Sequence, residues 1–161
     1  VRELEANQSA GPKVKKGPRE PEVDFAASQY IITKNGKYGF PSLAVKKSLV
    51  TAVGRFTEMP KTQVNGLVRI VGDEFLPITF SGKPVMRRDH VVASMRHDVR
   101  YRAEFWPWSI DIEVEFIPQL ISLEQVIHGF RMAGLTVGIG NWRPEKSGSF
   151  GTYDVKNVKS A

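Results

Sequence analysis

The chain has 161 residues, of which 41% are hydrophobic and 25% are charged, and its formal net charge at neutral pH is +6. This length and balance favour one soluble globular domain with a real core. No apolar run approaches the roughly 18 residues that a membrane-spanning helix needs. The absence of cysteine excludes disulfides, thiolate metal sites and cysteine nucleophiles, and it fits a reducing, cytoplasmic location.

The basic excess has two interpretations: a polyanionic partner such as nucleic acid, or charge that serves solubility alone. Residues 1–22 are predicted to be a basic linker or N-terminal arm, because prolines, glycines and lysines are interspersed there. Residues 23–161 are expected to form a single domain. Within it, residues 24–32 have an apolar bias and precede Asn35-Gly36, a strong turn signal, so a short strand and hairpin are predicted.

A basic helix is predicted over residues 42–56, because apolar residues recur there at helical spacing and Pro41 suits the first turn. Its lysines and arginine fall outside the apolar stripe. Together with the free N–H groups of a helix start, they indicate a surface for a phosphate backbone. The alternative is an ordinary solvated basic face. The candidate nucleic-acid contacts of this helix are Ser42, Lys46, Lys47 and Arg55.

The middle of the chain is predicted to contain short strands and a long arm. Residues 66–80 are typical of two strands around Gly72-Asp73. Residues 81–98 are polar and basic without a clear period, so we expect an extended arm inserted into the domain. This arm is too long and too basic to pack tightly on its own domain, which predicts contact with a neighbouring protomer or a bound strand. Its candidate nucleic-acid contacts are Arg87 and Arg88.

Residues 99–105 and 110–116 alternate strictly between apolar and polar side chains and are predicted to pair as a hairpin around Trp-Pro-Trp-Ser. Cross-strand ion pairs then explain the acidic residues of the second strand without a metal or acid–base site. The three histidines have no metal-ligand spacing, so no metal, cofactor or catalytic group is predicted. The expected cross-strand pairs are Arg102–Glu113 and Arg100–Glu115.

A second helix is predicted over residues 122–134. Ser122 and Gln125 fit a capping box, and Gly134 fits the position that ends a helix. A glycine-rich loop follows, with a final strand predicted over residues 150–155.

The glycine-rich loop lacks the ending of a nucleotide-binding phosphate loop and precedes a predicted strand instead of a helix. Its mixture of glycines, one aromatic residue and two cations suits single-stranded nucleic acid, on which bases stack and cations follow phosphates. The alternative is a structural loop with one buried tryptophan. The candidate residues are Gly138, Gly140, Trp142, Arg143 and Lys146.

Two stretches together resemble the RAMP superfamily, the RNA-binding subunits of CRISPR effector complexes. The sequence "YGFPSLAVKKSLVTAVGR" is similar to the segment that opens the first helix of that group, and "AGLTVGIGNWRPEKSGSFGTYDV" resembles its C-terminal glycine-rich loop. The overall pattern also resembles an uncharacterised phage and prophage family. The resemblance implies an α+β, ferredoxin-like (RRM-like) domain, in which an antiparallel sheet carries two helices on one face and a long inserted arm.

The resemblance also implies a function. We expect a non-catalytic, sequence-independent binder of single-stranded RNA or DNA that forms a helical or linear homo-oligomer along the strand. No membrane partner is expected. RNA-cleaving members carry an aspartate in the turn before the first helix, and this sequence has none there. The rival interpretation is a phage structural or assembly protein, such as a virion or scaffold component, whose acidic strand face and basic arm meet across subunits without nucleic acid.

Overall fold

The computed structural model describes residues 18–32, 36–93 and 95–160, which form a mixed α+β structure with four α-helices and antiparallel sheets. The predicted α+β class is confirmed. Most of the predicted N-terminal linker and Asn35 of the predicted turn lie outside the described residues. None of the described helices is long and apolar enough to cross a bilayer.

The described residues divide into two compact units. The smaller contains residues 18–29 and 84–104, and the larger contains residues 30–83 and 105–160. In chain order the elements are α1 (Pro21–Ala27), β1 (Tyr30–Ile32), β2 (Lys37–Pro41), α2 (Ser42–Phe56), α3 (Lys61–Leu67), β3 (Val68–Val71), β4 (Phe75–Pro77), β5 (Thr79–Phe80), β6 (Val85–Ala93), β7 (Arg96–Glu104), β8 (Trp108–Ser109), β9 (Glu113–Phe116), α4 (Leu123–Thr136) and a 3₁₀ turn (Pro144–Lys146).

The larger unit has one three-stranded antiparallel sheet, in the order β1–β2–β4, and the two-stranded pairs β3–β9 and β5–β8. The hairpin predicted near the Asn-Gly turn is confirmed, because Tyr30–Ile32 pairs with Lys37–Pro41. The preceding residues form helix α1 instead of the start of that strand. The aromatic rings of Tyr38, Phe80 and Phe105 pack together, with each pair of ring centroids 4.9–5.5 Å apart. They connect this sheet to the β5–β8 pair.

Helix α2 has the predicted bounds and packs its apolar stripe against α3 and α4. Leu49 is 1% exposed, so its truncation to alanine is expected to cost about 2–5 kcal/mol of folding free energy. Helix α3 was not predicted, because its sequence, Lys-Thr-Gln-Val-Asn-Gly-Leu, has too few apolar residues to show a period. The buried core of this unit comprises Val45, Leu49, Val53, Val64, Leu67, Val68, Leu76, Ile121, Val126 and Phe130.

The capping box of α4 is confirmed. The Ser122 hydroxyl accepts a hydrogen bond from the Gln125 N–H at 3.2 Å, and the Gln125 side chain accepts one from the Ser122 N–H at 2.8 Å. The helix continues past Gly134 to Thr136, so the predicted end is wrong. Gly134 is needed for packing instead, because a Cβ at this position would clash with the Tyr153 carbonyl oxygen.

The strand predicted over residues 150–155 is also wrong, because this segment belongs to no strand. It crosses the end of α4 and is held by Tyr153, whose hydroxyl lies 3.1 Å from the buried Ser48 hydroxyl of α2. Burial raises the pKa of Tyr153, and the hydrogen bond with Ser48 opposes that shift. Tertiary contacts with two helices therefore replace sheet pairing in this segment.

The hairpin predicted between residues 99–105 and 110–116 is wrong. Strand β9 pairs with β3, and Arg69, opposite Glu115 in the register, approaches its carboxylate to 2.7 Å. Alternation correctly marked these segments as strands. It shows which side chains share a face, but it contains no information about which strand becomes the neighbour.

Strand β7 pairs with β6, so most of the predicted arm is one half of an antiparallel hairpin. Ala93 lies opposite Arg96, and Ser94 in the intervening turn lies outside the described residues. This hairpin and the predicted one both have short connections, so the entropy of loop closure differs little between them and does not decide the partner. Arg100 consequently lies opposite Asp89, not opposite a glutamate of β9.

Candidate nucleic-acid interface

The basic residues of α2 have different surroundings. Lys47 and Arg55 are exposed, whereas Lys46 is half-buried and its ammonium donates a hydrogen bond to the Asn65 carbonyl oxygen at 2.9 Å. That carbonyl lies near the end of α3, where the helix dipole favours a cation. Lys46 thus has a structural partner, and Lys47 and Arg55 are the cations that α2 presents to solvent.

The start of α2 is less open to an anion than the sequence indicated. Pro41 is the N-cap residue, and the Ser42 side chain makes no capping hydrogen bond. The Ser42 N–H already donates to the Glu74 carbonyl oxygen at 2.9 Å. Ser42 is therefore the first residue of the helix and not its cap, and one of the N–H groups of the helix start is occupied by the protein itself.

The glycine-rich loop is closed by its own backbone hydrogen bonds. The Phe150 N–H donates to the Trp142 carbonyl at 3.1 Å, the Gly148 N–H to the Arg143 carbonyl at 3.1 Å, and the Ile139 N–H to the Gly151 carbonyl at 2.9 Å. A 3₁₀ turn, Pro144–Lys146, forms its tip. This closure fixes the loop as a defined surface.

Gly138 and Gly140 serve different purposes. Gly138 has a φ of +68°, and an added Cβ would lie 2.7 Å from Pro144 Cδ, so the loop itself fills that space. Gly140 has a φ of +80°, and the nearest atom to an added Cβ is Phe40 Cε2, at 3.9 Å. The backbone of Gly140 is therefore the one of the two that an external group can approach.

The loop contacts the C-terminal end of α2, because the Glu145 carboxylate accepts a hydrogen bond from Arg55 in the last turn of the helix. Gly140 faces the ring of Phe40, two residues before the helix begins. The loop and the end of α2, two segments that the sequence singled out, thus lie next to each other within the larger unit.

Glu145 joins two of the predicted cations. One carboxylate oxygen accepts hydrogen bonds from Arg143 Nε and Nη2 at 3.1 and 2.6 Å, and the other accepts one from Arg55 Nη2 at 3.3 Å. Burial acts to raise the pKa of Glu145, but the hydrogen bonds and charges of Arg143, Lys146 and Arg55 outweigh it, so the pKa is lowered. Three cations surround one carboxylate, which leaves a net positive charge.

Trp142 has a backbone conformation that bulky residues rarely adopt, with a φ of +57°. Its side chain is 37% exposed, and its ring centroid lies 6.0 Å from that of Phe150. The tryptophan is therefore not buried in a core. One part of the ring rests on Phe150, and the rest is exposed to solvent.

Arg87 and Arg88 belong to the smaller unit and differ in exposure. Arg87 binds the carboxylate of Asp89 through Nε at 2.7 Å and Nη2 at 2.8 Å, and Asp89 is 2% exposed. The guanidinium of Arg87 thus compensates a buried charge, which is a structural role. Arg88 is exposed, so it is the cation of this pair that an external phosphate can reach.

Glu145 was missed by the sequence analysis, although it lies only two residues from Arg143. Its short distance to Arg143 in a proline turn was a usable local signal, but its contact with Arg55, 90 residues away, was not visible. Within the described ranges, no group of three His, Asp or Glu side chains is arranged to hold a metal ion.

Comparison of this chain with protein-family models, with curated proteins and with solved structures finds no match.

Proposed function

We propose that this protein is a non-catalytic, sequence-independent binder of single-stranded RNA or DNA that associates into a helical or linear homo-oligomer along the strand. A cytoplasmic location belongs to the same proposal. Phosphate contacts would carry most of the affinity, because they depend on charge and not on base identity.

The observation that carries the proposal is the contact between the basic helix α2 and the glycine-rich loop, made by Arg55 and Glu145. Together these two elements present Lys47, Arg55 and Lys146 as exposed cations and Trp142 as a half-exposed ring. Cations along a groove, combined with an aromatic stacking platform, are typical of proteins that bind single strands without sequence preference. The net charge of +6 is consistent with a polyanionic partner.

A relation to the RAMP superfamily and a ferredoxin-like arrangement belong to the same proposal. Helices α2 and α4 packed against each other, and the glycine-rich loop after α4, support it. The strands of the described residues lie in one three-stranded and three two-stranded sheets, not in one four-stranded sheet. The relation therefore rests on the order of elements and on the two sequence motifs.

The second candidate is a structural or assembly protein, such as a phage virion or scaffold component. It is favoured by the exposed acidic residues Asp111, Glu113 and Glu115 and by the exposed Arg88 of the β6–β7 hairpin. Such surfaces can meet between subunits without nucleic acid. The absorbance ratio of the purified protein at 260 and 280 nm, before and after nuclease treatment, separates these functions.

The direct test is a salt titration of binding by fluorescence anisotropy, with labelled oligo(dT) and oligo(U). A variant with Lys47, Arg55 and Lys146 changed to alanine is expected to bind both strands more weakly. Its log–log salt slope should be shallower by about 2, because each lost phosphate contact on a single strand contributes roughly 0.7.

The matched control is a variant with Arg69 and Arg131 changed to alanine, because both cations are exposed and lie on β3 and on α4, outside this surface. Simple loss of net charge would change its salt slope in proportion to the two cations removed. If the triple variant binds like the parent at every salt concentration, the proposed surface is wrong. It is also wrong if the triple variant and the control lose the same salt slope per cation removed.

A further inference from the structure

Lys61, the first residue of α3, lies against α2 at the position of Gly54. A Cβ on Gly54 would overlap Lys61 Cγ and would lie 3.1 Å from the Lys61 backbone nitrogen. A larger residue in this place would push the start of α3 away, so Gly54 permits the close approach of the two helices. The exposed Lys61 is thereby held beside the last turn of α2, next to Arg55.

The two helices meet again toward the other end of α3, where the Lys46 ammonium donates a hydrogen bond to the Asn65 carbonyl oxygen at 2.9 Å. The two contacts show that α2 and α3 run in opposite directions. Lys47 is seven residues before Gly54, which is nearly two full turns. It therefore lies on the same side of α2 as Lys61, about 10 Å from Gly54 along the helix axis. We call the strip formed by Lys46, Lys47 and Lys61 the α2–α3 seam.

The charge of the α2–α3 seam is not balanced by the larger unit. No described carboxylate lies within ion-pair distance of its three lysines, whereas Arg55, Arg69 and Arg143 each have a carboxylate partner. Lys61 also stands at a helix start, where the dipole favours an anion, and the first turn of α3 has no acidic residue. The position of this cation therefore does not serve the fold, and a strip of one sign of charge attracts an external anion.

We propose that the α2–α3 seam holds consecutive phosphate groups of the bound single strand, with Lys61 as a contact residue alongside Lys47. This path deepens the proposed function and rests on it. Lys61 extends the exposed cations from Arg55 toward Lys47, so the backbone of the strand follows the line where the two helices meet. Lysine binds phosphate as a flexible point charge, which suits contacts that do not depend on the base.

The first test replaces Lys61 by alanine in the full chain and repeats the salt titration with labelled oligo(dT) and oligo(U). The log–log salt slope should become shallower by about 0.7, and the affinity for both strands at low salt should fall about three- to tenfold. Lys61→Arg retains the charge and should retain both values. Melting curves of each variant should match the parent, because an exposed, unpaired lysine contributes little to folding.

The matched control is Lys37→Ala. Lys37 is an exposed lysine at the start of β2, outside the α2–α3 seam, and its loss changes the net charge equally. This control should leave the salt slope nearly unchanged. The seam is refuted if Lys61→Ala keeps the parent slope, or if Lys61→Ala and Lys37→Ala lose the same slope.

A second measurement locates the contact in the unaltered protein. Acetylation of each lysine by a water-soluble reagent is quantified by mass spectrometry, with and without saturating oligo(U). Lys47 and Lys61 should be acetylated several-fold more slowly in the complex, while the rate at Lys37 stays the same. Equal rates at Lys61 with and without the strand would overturn the proposed path.

The two proposals fail separately in these experiments. If oligo(U) binds but Lys61 is not protected and Lys61→Ala keeps the parent slope, the path along the seam is refuted and strand binding stands. If neither oligonucleotide changes in anisotropy even at low salt, strand binding is refuted and the path along the seam with it.

Discussion

Replacing Glu145 by glutamine should strengthen nucleic-acid binding and weaken folding at the same time. The substitution keeps the shape of the side chain but removes the charge that holds Arg55 and Arg143. If the α2–loop surface binds phosphate, the Arg143 guanidinium becomes available to the strand in addition to the exposed Arg55. Affinity at low salt should then rise about three- to tenfold, with a salt slope steeper by up to about 0.7.

The stability cost follows from the exposure of the three side chains. Glu145 is 19% exposed, Arg143 30% and Arg55 44%. Charge-assisted hydrogen bonds are worth about 1.5–3 kcal/mol when shielded from water, but exposed pairs contribute only about 0–1 kcal/mol. We therefore expect the Arg143 pair to dominate and a total loss of about 1–2 kcal/mol. For a chain of this size that lowers the Tm by roughly 2–8 °C.

The pH dependence of this loss has a definite sign. The pKa of Glu145 is lowered in the folded protein, so its carboxylate stabilises the fold above the unfolded-state pKa of about 4.3. That contribution disappears as the pH falls through the lowered folded-state pKa. Urea denaturation at pH 7 should thus give the parent a higher free energy of unfolding than Glu145→Gln. This difference should shrink toward zero as the pH falls and the carboxylate is protonated.

The control for this experiment is Glu115→Gln, which changes the net charge equally but removes the partner of Arg69 on another sheet. It should alter oligonucleotide affinity only slightly. If Glu145→Gln loses stability as expected but binds no more tightly than Glu115→Gln, the two arginines serve the loop alone. The α2–loop surface would then not bind phosphate.

Three further outcomes are expected. Tyr153→Phe should cost about 1–3 kcal/mol, measured by urea denaturation, because the buried Ser48 hydroxyl loses its partner; an unchanged unfolding midpoint would contradict this. Trp142→Ala should weaken oligonucleotide binding by about 1–3 kcal/mol with little change in Tm if a base stacks on the ring, whereas a large fall in Tm with unchanged affinity would show a structural role. Arg87→Ala should destabilise the protein by about 3–5 kcal/mol through the buried Asp89, and the double variant Arg87→Met/Asp89→Leu should recover much of that loss in thermal melts.

The sequence by itself determined the elements whose signals are local. The apolar period of residues 42–56 predicted α2 with its observed bounds, and the capping box predicted the start of α4. Alternation identified β7 and β9 as strands, although only part of each predicted range forms one. These features depend on side chains within a few residues of one another, so the sequence contains their physical cause.

Tertiary structure decided the pairings other than the β1–β2 hairpin, and it set the environment of each candidate residue. The pairing of β3 with β9, the packing of residues 150–155 on two helices, and the contact of Lys46 with Asn65 all join residues that are far apart in sequence. Their choice depends on which surfaces bury the most apolar area and which charges meet, and that competition involves the whole chain. For the same reason, the sequence identified Arg55 and Arg143 separately, and only the fold brought both onto Glu145.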